Sequence, residues 1–179
     1  ALIPILLTKK KPPTFKKINA MSLNELYKSS PFGMFSSFFY GTIQSALFTL
    51  LAVYATSMNF TILEISIVTF LLAISGAVAQ FPVGKISDVY DRRKVIIAST
   101  FGAAIFAIIT IFVSGQMYLP DGLATSKMWF YIFFILFSFC SLPMFSLILA
   151  HTNDYITKDR FVAAGAGLQF TFGLRSITY

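Results

Sequence analysis

The sequence predicts an all-α integral membrane protein, a bundle of transmembrane helices, and three observations lead to this fold class. The chain of 179 residues is 56% hydrophobic and only 12% charged, about half the charge of a typical soluble domain. Its apolar residues form continuous runs of the length that crosses a bilayer, about 20 residues per helix. These runs do not alternate with polar residues, so helices are predicted rather than the strands of a barrel.

Four of these runs are predicted to span the membrane in full, and they cover residues 32–55, 65–83, 95–113 and 128–150. A fifth run occupies 161–179, and a short apolar segment, 1–7, precedes the first loop. Pro82 and Pro143 lie inside the second and fourth runs. Proline lacks a backbone N–H and clashes with the preceding turn, so we expect both helices to bend there.

The basic residues are distributed unevenly between the loops. Of the 14 basic residues, six precede the first span, four lie between the second and third, and two follow the fourth. Lys127 lies on the opposite side, and Arg175 falls inside the fifth run. The positive-inside rule therefore places loops 8–31, 84–94 and 151–160 in the cytoplasm. The net charge of +7 is then a topology signal, and no nucleic-acid partner is predicted.

Segment 84–94 joins the second and third spans by a very short turn. Gly84 allows two helices to approach closely. Asp88 is placed to accept hydrogen bonds at the N-terminus of a neighbouring helix, and Arg92, four residues later, can pair with it. Arg93 lies at the level of the lipid headgroups and anchors the next span. The simpler interpretation is a basic turn that only obeys the positive-inside rule.

This segment resembles the signature loop of the major facilitator superfamily, G-x-x-x-D-x-x-x-R-[RK]. Gly84, Asp88, Arg92 and Arg93 stand at the matching positions, between two spans, whereas Asp91 stands where glycine is usual. Segments 149–154 and 162–168 add a second resemblance, to the little-characterised YcaD-like branch of bacterial permeases.

The resemblance implies twelve helices in two halves, and a secondary active transporter that moves a small solute across the cytoplasmic (inner) membrane by alternating access. It implies that 1–7 is the end of a preceding transmembrane helix, 8–31 the central cytoplasmic linker, and 32–179 a truncated C-terminal half. An N-terminal half is the alternative. Because both ends of the sequence lie in apolar runs, we expect an internal fragment; a natural protein of this length is the alternative. The four signature residues are then expected to form a conformational latch.

Polar residues inside the spans are candidates for a substrate cavity. Gln44 shares a helical face with Ser37 and Gly41, and Gln80 lies on a similar small, polar stripe in the second span. Arg175 stands about four turns into the fifth run, where a charge normally faces water or a partner. Close helix packing is the alternative for the stripes, and snorkelling to the far interface is the alternative for Arg175.

The end of the fourth span carries three further polar residues. His151, the single histidine, is a candidate proton carrier because the pKa of imidazole lies near neutrality. A structural role at the helix end is the alternative. Asn153 and Asp154 are expected to end the span and to tie the following loop to its neighbours. In the first loop, Ser22 and Glu25 form a capping box that predicts a short helix on the membrane surface.

A membrane-embedded enzyme is disfavoured, because neither H-E-x-x-H nor G-x-S-x-G occurs. The protein is therefore not expected to be an enzyme, and no metal site or cofactor is predicted. A non-transporting membrane subunit or sensor of the same fold is the alternative function. The expected partners are the lipid bilayer, a small-molecule substrate and the missing N-terminal half, with a coupling proton as a further candidate.

Overall fold

The computed structural model describes residues 21–115 and 123–173, and within these ranges the regular elements are helices without any strand. The seven α-helices are α1 (Leu23–Ser29), α2 (Pro31–Ser57), α3 (Ile62–Val89), α4 (Arg92–Gly115), α5 (Leu123–Ser141), α6 (Met144–Asn153) and α7 (Phe161–Gly173), with a 3-10 turn at Lys158–Arg160 before α7. Segment 1–7, most of the predicted linker and Arg175 lie outside the described residues.

Within the described residues, four helical stretches are long and apolar enough to cross a membrane, as the sequence predicted. They are Pro31–Ser57, Ile62–Val89, Arg92–Gly115 and Lys127–Asn153, the last of which combines α5 and α6. Each extends a few residues beyond the predicted apolar run, because polar residues continue the helix past the hydrocarbon core. The fold class is confirmed as an all-α bundle of transmembrane helices.

Short turns join α2 to α3 and α3 to α4, so these successive helices run in opposite directions. The turn between α3 and α4 contains only residues 90 and 91. It lies at the same end of the bundle as the start of α2 and the end of α6. We call this the basic end, and we call the opposite end, where residues 58–61 join α2 to α3, the far end.

Apolar side chains form one cluster towards each end of the bundle. The cluster towards the far end includes Leu51, Ala55, Val68, Leu72, Phe130 and Phe134. The cluster towards the basic end includes Tyr40, Val83, Val95, Ile96, Leu147 and Ile148. Many other large apolar side chains are exposed, such as Phe48, Phe70 and Phe112. A soluble monomer rarely exposes so much apolar surface, and here that surface meets lipid.

The polar stripe of α2 is used in helix packing. Ser37 is fully buried and its hydroxyl donates to the carbonyl oxygen of Leu168 in α7, at 2.9 Å. One turn further along, a Cβ atom on Gly41 would collide with the backbone carbonyl of Phe172. Small residues therefore let α2 and α7 approach until their backbones touch, as small residues do at interfaces between membrane helices. For Ser37 and Gly41 the packing alternative holds.

The two prolines have different effects on their helices. Pro143 divides the fourth span, because α5 ends at Ser141 and α6 begins at Met144. The carbonyl oxygen of Leu142 at this break accepts a hydrogen bond from the hydroxyl of Tyr40, at 3.3 Å. Such a substitute partner lets a broken helix persist within a bilayer. Pro82, in contrast, lies inside α3, which continues as a helix to Val89.

The short helix α1 forms as predicted, but its central side chain does not lie on the membrane surface. Ser22 and Glu25 make both hydrogen bonds of the capping box. Leu26, however, is buried against Ala164 and Leu168 of α7. Because Leu26 packs against apolar side chains of α7, α1 is attached to the helix bundle.

Candidate functional site

The turn between α3 and α4 is closed by Asp91. Its Oδ1 accepts a hydrogen bond from the backbone N–H of Arg93 at 2.9 Å, and its carbonyl oxygen accepts the first helical bond, from Val95. Asp91 is thus the N-cap of α4. The one left-handed φ among the described residues is that of Asn59, 58°, so position 91 does not need the conformational freedom of glycine. The turn is tight although Asp91 replaces the usual glycine.

Arg92 connects three parts of the basic end. Its Nη1 donates to the carbonyl oxygen of Ala150 at 2.7 Å and to Oδ1 of Asp154 at 2.9 Å. Its Nη2 lies 3.4 Å from Oδ1 of Asp88, four residues earlier in sequence and in α3. The carbonyl of Ala150 is among the last of α6, where the helix dipole favours a cation. One guanidinium group therefore ties α4 to both α3 and α6.

Arg93 makes a second connection to the segment after α6. Its Nη2 donates to the hydroxyl of Tyr155 at 2.6 Å, and its guanidinium lies over the ring of Tyr155, 5.5 Å from the centroid. The Tyr155 ring in turn meets the edge of His151, with centroids 5.1 Å apart. Phe32 of α2 also makes an edge-type contact with His151, at the same centroid separation. A chain of ring contacts therefore joins α2, α6 and α4.

These residues surround an open cleft of about 430 Å³ at the basic end. Its lining residues are Ser87, Asp88, Tyr90, Asp91, Arg92, Arg93, His151, Asp154 and Tyr155. Two buried polar atoms near the end of α6, Nε2 of His151 and Oδ1 of Asn153, have no hydrogen-bond partner in the described chain. Such atoms are rare in folded proteins. Within the described ranges, no group of three or more His, Cys, Asp or Glu side chains is placed to hold a metal ion.

The structure modifies two details of the signature loop. Asp88 was expected to cap a neighbouring helix, but within the described chain it accepts a hydrogen bond from Arg92, and Asp91 is the residue that caps α4. Gly84 was expected to bring two helices together, yet a Cβ atom added there would meet none of the described atoms within 4 Å. That expectation is not met within the described chain, because the face of α3 that carries Gly84 has no neighbour there.

The candidate cavity residues lie in different surroundings. Gln44 is buried in α2, and its Oε1 has no hydrogen-bond partner. Gln80 is exposed on α3. Arg175 lies outside the described residues. The buried amide oxygen of Gln44 and the exposed amide of Gln80 are therefore available to partners outside the described chain.

Sequence reasoning missed the ion pair at the far end. Nζ of Lys127, in α5, lies 2.7 Å from Oε1 of Glu64 in α3, and it also lies over the ring of Phe60. Oε2 of Glu64 accepts from the backbone N–H of Thr61 at 2.7 Å, within a second capping box. The T-x-x-E spacing was a readable signal for the helix start. The partnership with Lys127 had no comparable signal, because 63 residues separate the two.

Comparison with known proteins identifies the family of this chain. The sequence matches the Major Facilitator Superfamily over residues 2–177. The chain belongs to this superfamily. The predicted resemblance of the signature loop is thus confirmed at the level of the superfamily, and four helices of membrane-spanning length agree with it.

Two curated relatives carry superfamily names. One, from Bacillus subtilis (strain 168), is an uncharacterised MFS-type transporter, YfkF; it is 32% identical over 164 residues, which cover 87% of this chain and 38% of the relative. The other, from Methanocaldococcus jannaschii, is an uncharacterised MFS-type transporter, MJ1560; it is 35% identical over 65 residues, 36% of this chain and 17% of the relative. The chain therefore spans less than two fifths of either relative. No solved structure matches the sequence.

Proposed function

We propose that this chain is part of a secondary active transporter that moves a small solute across the cytoplasmic membrane by alternating access. The basic end faces the cytoplasm, as the positive-inside rule requires for loops 8–31, 84–94 and 151–160. The superfamily membership and the names of both relatives support a transporter. The YcaD-like branch, predicted from segments 149–154 and 162–168, is part of this proposal.

The observation that carries the proposal is the set of bonds made by Arg92. A residue that only anchored a helix in the headgroups would point towards lipid. Instead Arg92 bonds to Asp88 of α3, to the last turn of α6 and to Asp154. These contacts hold three helices together at one membrane surface and can be lost together when the helices separate. Gly84, Asp88, Arg92 and Arg93 therefore act as a conformational latch, with Asp154, directly after α6, as an acceptor.

A second half of the protein is the proposed partner of α3. Large apolar residues occupy one exposed face of α3, among them Phe70, Val78 and Phe81. Another exposed face carries small and polar residues, namely Ser66, Thr69, Ala73, Ala77 and Gln80. Lipid suits the first face, whereas small and polar residues are typical of contacts between membrane helices. The open space beside Gly84 continues the second face towards the basic end.

The substrate would lie between the two halves, near the middle of the membrane. Gln80 is exposed on the α3 face that we assign to this interface. Gln44 offers a buried amide oxygen without a partner, and an unpaired buried polar group gains most from a ligand that supplies the missing hydrogen bond. Arg175 is proposed to favour an anionic group of the substrate or a buried carboxylate of the other half.

The test is transport by the full-length protein in proteoliposomes, against a panel of labelled solutes and with and without a pH gradient. Once a substrate is found, we expect Gln44→Ala and Gln80→Ala to weaken its apparent affinity by about tenfold each, the effect of one lost hydrogen bond of about 1.4 kcal/mol. Val78→Ala, on the lipid-facing side of the same helix as Gln80, is the matched control and should transport normally.

Unchanged affinity in both glutamine variants would remove them from the cavity. Absence of saturable transport for every solute, in a protein that is folded and correctly oriented, would favour a membrane sensor or subunit. The response to the pH gradient decides whether a proton is coupled to transport.

A further inference from the structure

His151 occupies an unusual position in the described chain. It is only 3% exposed, and its Nε2 has no hydrogen-bond partner. Its ring is held between Phe32 and Tyr155, and it lines the open cleft at the basic end. Imidazole is the side chain that changes charge between about pH 5 and pH 8. A buried imidazole whose Nε2 has no partner in the described chain, beside an open polar cleft, is therefore a place where one proton can bind.

The charged neighbours of His151 have opposing effects on such a proton. On α4 and its cap are Arg92, Arg93 and Asp91, and after α6 are Asp154 and the phenol of Tyr155. From α3, Asp88 lines the same cleft. From α2 the ring meets the uncharged Phe32. Burial and the two arginines oppose a positive imidazole, whereas the carboxylates favour it.

Asp154 already has one cationic partner in the structure. In the structure it accepts a hydrogen bond from Arg92 at 2.9 Å. It also lies three residues after His151, a spacing at which side chains on one helical turn can meet. A neutral His151 ring does not attract the Asp154 carboxylate as a cation would. A charged ring gains from turning towards it and into the cleft, and it then competes with Arg92.

We propose that His151 is a proton-binding site whose protonation from the cytoplasm releases the tie between Arg92 and Asp154. The proposal rests on the latch described above. The step takes one proton from water onto the ring and makes or breaks no covalent bond to carbon. Since the neutral ring suits the buried site, the latched state is favoured at alkaline pH. It loses population as the pH falls through the range in which an exposed imidazole is protonated.

Movement of the ring also affects the second tie. Tyr155 contacts His151 on one side and receives a hydrogen bond from Arg93 on its hydroxyl. If His151 turns into the cleft, Tyr155 loses its packing partner. Both arginines of the signature loop then lose contacts together, so a single proton acts on the whole latch.

The experiment uses the full-length protein in inside-out vesicles, with native cysteines, including Cys140, removed. Ser87 is buried at the wall of the cleft, so Ser87→Cys reports opening by its rate with a membrane-impermeant maleimide. The same rate at exposed Thr157→Cys corrects for the pH dependence of maleimide chemistry. From about pH 8 to about pH 5, we expect the corrected rate to rise about tenfold, which corresponds to a shift of about 1.4 kcal/mol in the opening equilibrium.

The variants separate this proposal from the latch itself. His151→Phe keeps an aromatic ring between Phe32 and Tyr155 but binds no proton, so its rate should stay low at every pH. Arg92→Gln should give a high rate at every pH. A flat wild-type profile, or an unchanged rise in His151→Phe, overturns the proton site while Arg92→Gln still demonstrates the latch. A low rate in Arg92→Gln overturns the latch, and this proposal falls with it.

A measurement on the unmutated protein covers the case in which His151→Phe does not fold. Exchange of the imidazole C2 hydrogen with deuterium, resolved to His151 by mass spectrometry, follows the protonation of this one ring. The intrinsic rate of this exchange rises with pH to a plateau, because it needs both the imidazolium and hydroxide. We therefore expect an alkaline plateau for His151 well below that of an exposed imidazole, and a ratio to the exposed rate that rises on acidification together with the maleimide response. The exchange profile of a freely exposed imidazole would overturn the proposal.

Discussion

Ion pairs connect helices at both ends of the bundle, but their burial and their partners differ. At the far end, Lys127 and Glu64 lie 2.7 Å apart with side chains only 18% and 23% exposed. The glutamate is also fixed by the capping box at Thr61, and Phe60 covers the ammonium group. At the basic end, Arg92 shares its bonds among several acceptors, and the side chains of Asp88 and Asp154 are 72% and 50% exposed.

The difference indicates which end is built to change. At the far end, α2 is followed by Asn59 in the left-handed conformation. The backbone N–H groups of Asn59 and Phe60 donate to carbonyl oxygens in the last turn of α2. The Glu64–Lys127 pair there already makes its hydrogen bonds, so a movement of the helices would add none. At the basic end, buried polar atoms of His151 and Asn153 have no partner, and an open cleft lies beside them. Exposed ion pairs, whose partners water can replace, and buried polar atoms without a partner are features of a segment that changes conformation.

The largest effect is expected from Arg92→Gln. It removes the group that bonds to α3 and α6 together, so the cleft should open and transport should fall by about 5- to 150-fold, the usual range of coupling between sites. Reactivity of Ser87→Cys and transport by the full-length protein measure the two effects. Arg93→Gln is the matched control, since it loses only the Tyr155 contact, and it should change both by less. Equal effects of the two substitutions would contradict a special role for Arg92.

The far end should respond in stability rather than in opening. Glu64→Gln leaves Lys127 without its carboxylate, and we expect a loss of about 1–3 kcal/mol, between the values for exposed and buried pairs. Thermal unfolding of the purified protein measures it, and Lys127→Met with the double variant completes a cycle that isolates the pair. Reactivity of Ser87→Cys should be unchanged. If it rises, the two ends are coupled and the comparison fails.

The smallest effects are expected from the two carboxylates that share Arg92. Asp154→Asn should open the cleft more than Asp88→Asn, because the bond to Asp154 is shorter, 2.9 Å against 3.4 Å, and its side chain is less exposed. An exposed ion pair contributes only about 0.2–1 kcal/mol, so Asp88→Asn should change the Ser87→Cys rate by about twofold. The reverse order would show that Asp88 has a further partner, for which the other half of the protein is the candidate.

Local signals in the sequence predicted much of the fold and part of the site. The four spans follow from length and hydropathy, the division of the fourth span follows from Pro143, and the start of α1 follows from Ser22 and Glu25. Asp88 and Arg92 were predicted to pair because they lie one helical turn apart. The contacts of Arg92 with Ala150 and Asp154 were not predicted, since 58 and 62 residues separate these positions.

The sequence by itself determined the membrane fold, because hydropathy, prolines and charged loops act through the solvent and through the nearest helical turn. The family followed from four residues at fixed spacing. Only the tertiary structure decided which of the polar residues are used for packing and which are left unpaired. Ser37 is satisfied by α7, whereas Gln44 and His151 keep buried atoms without partners. That outcome depends on the distances between side chains from different helices, which periodicity along one helix does not contain.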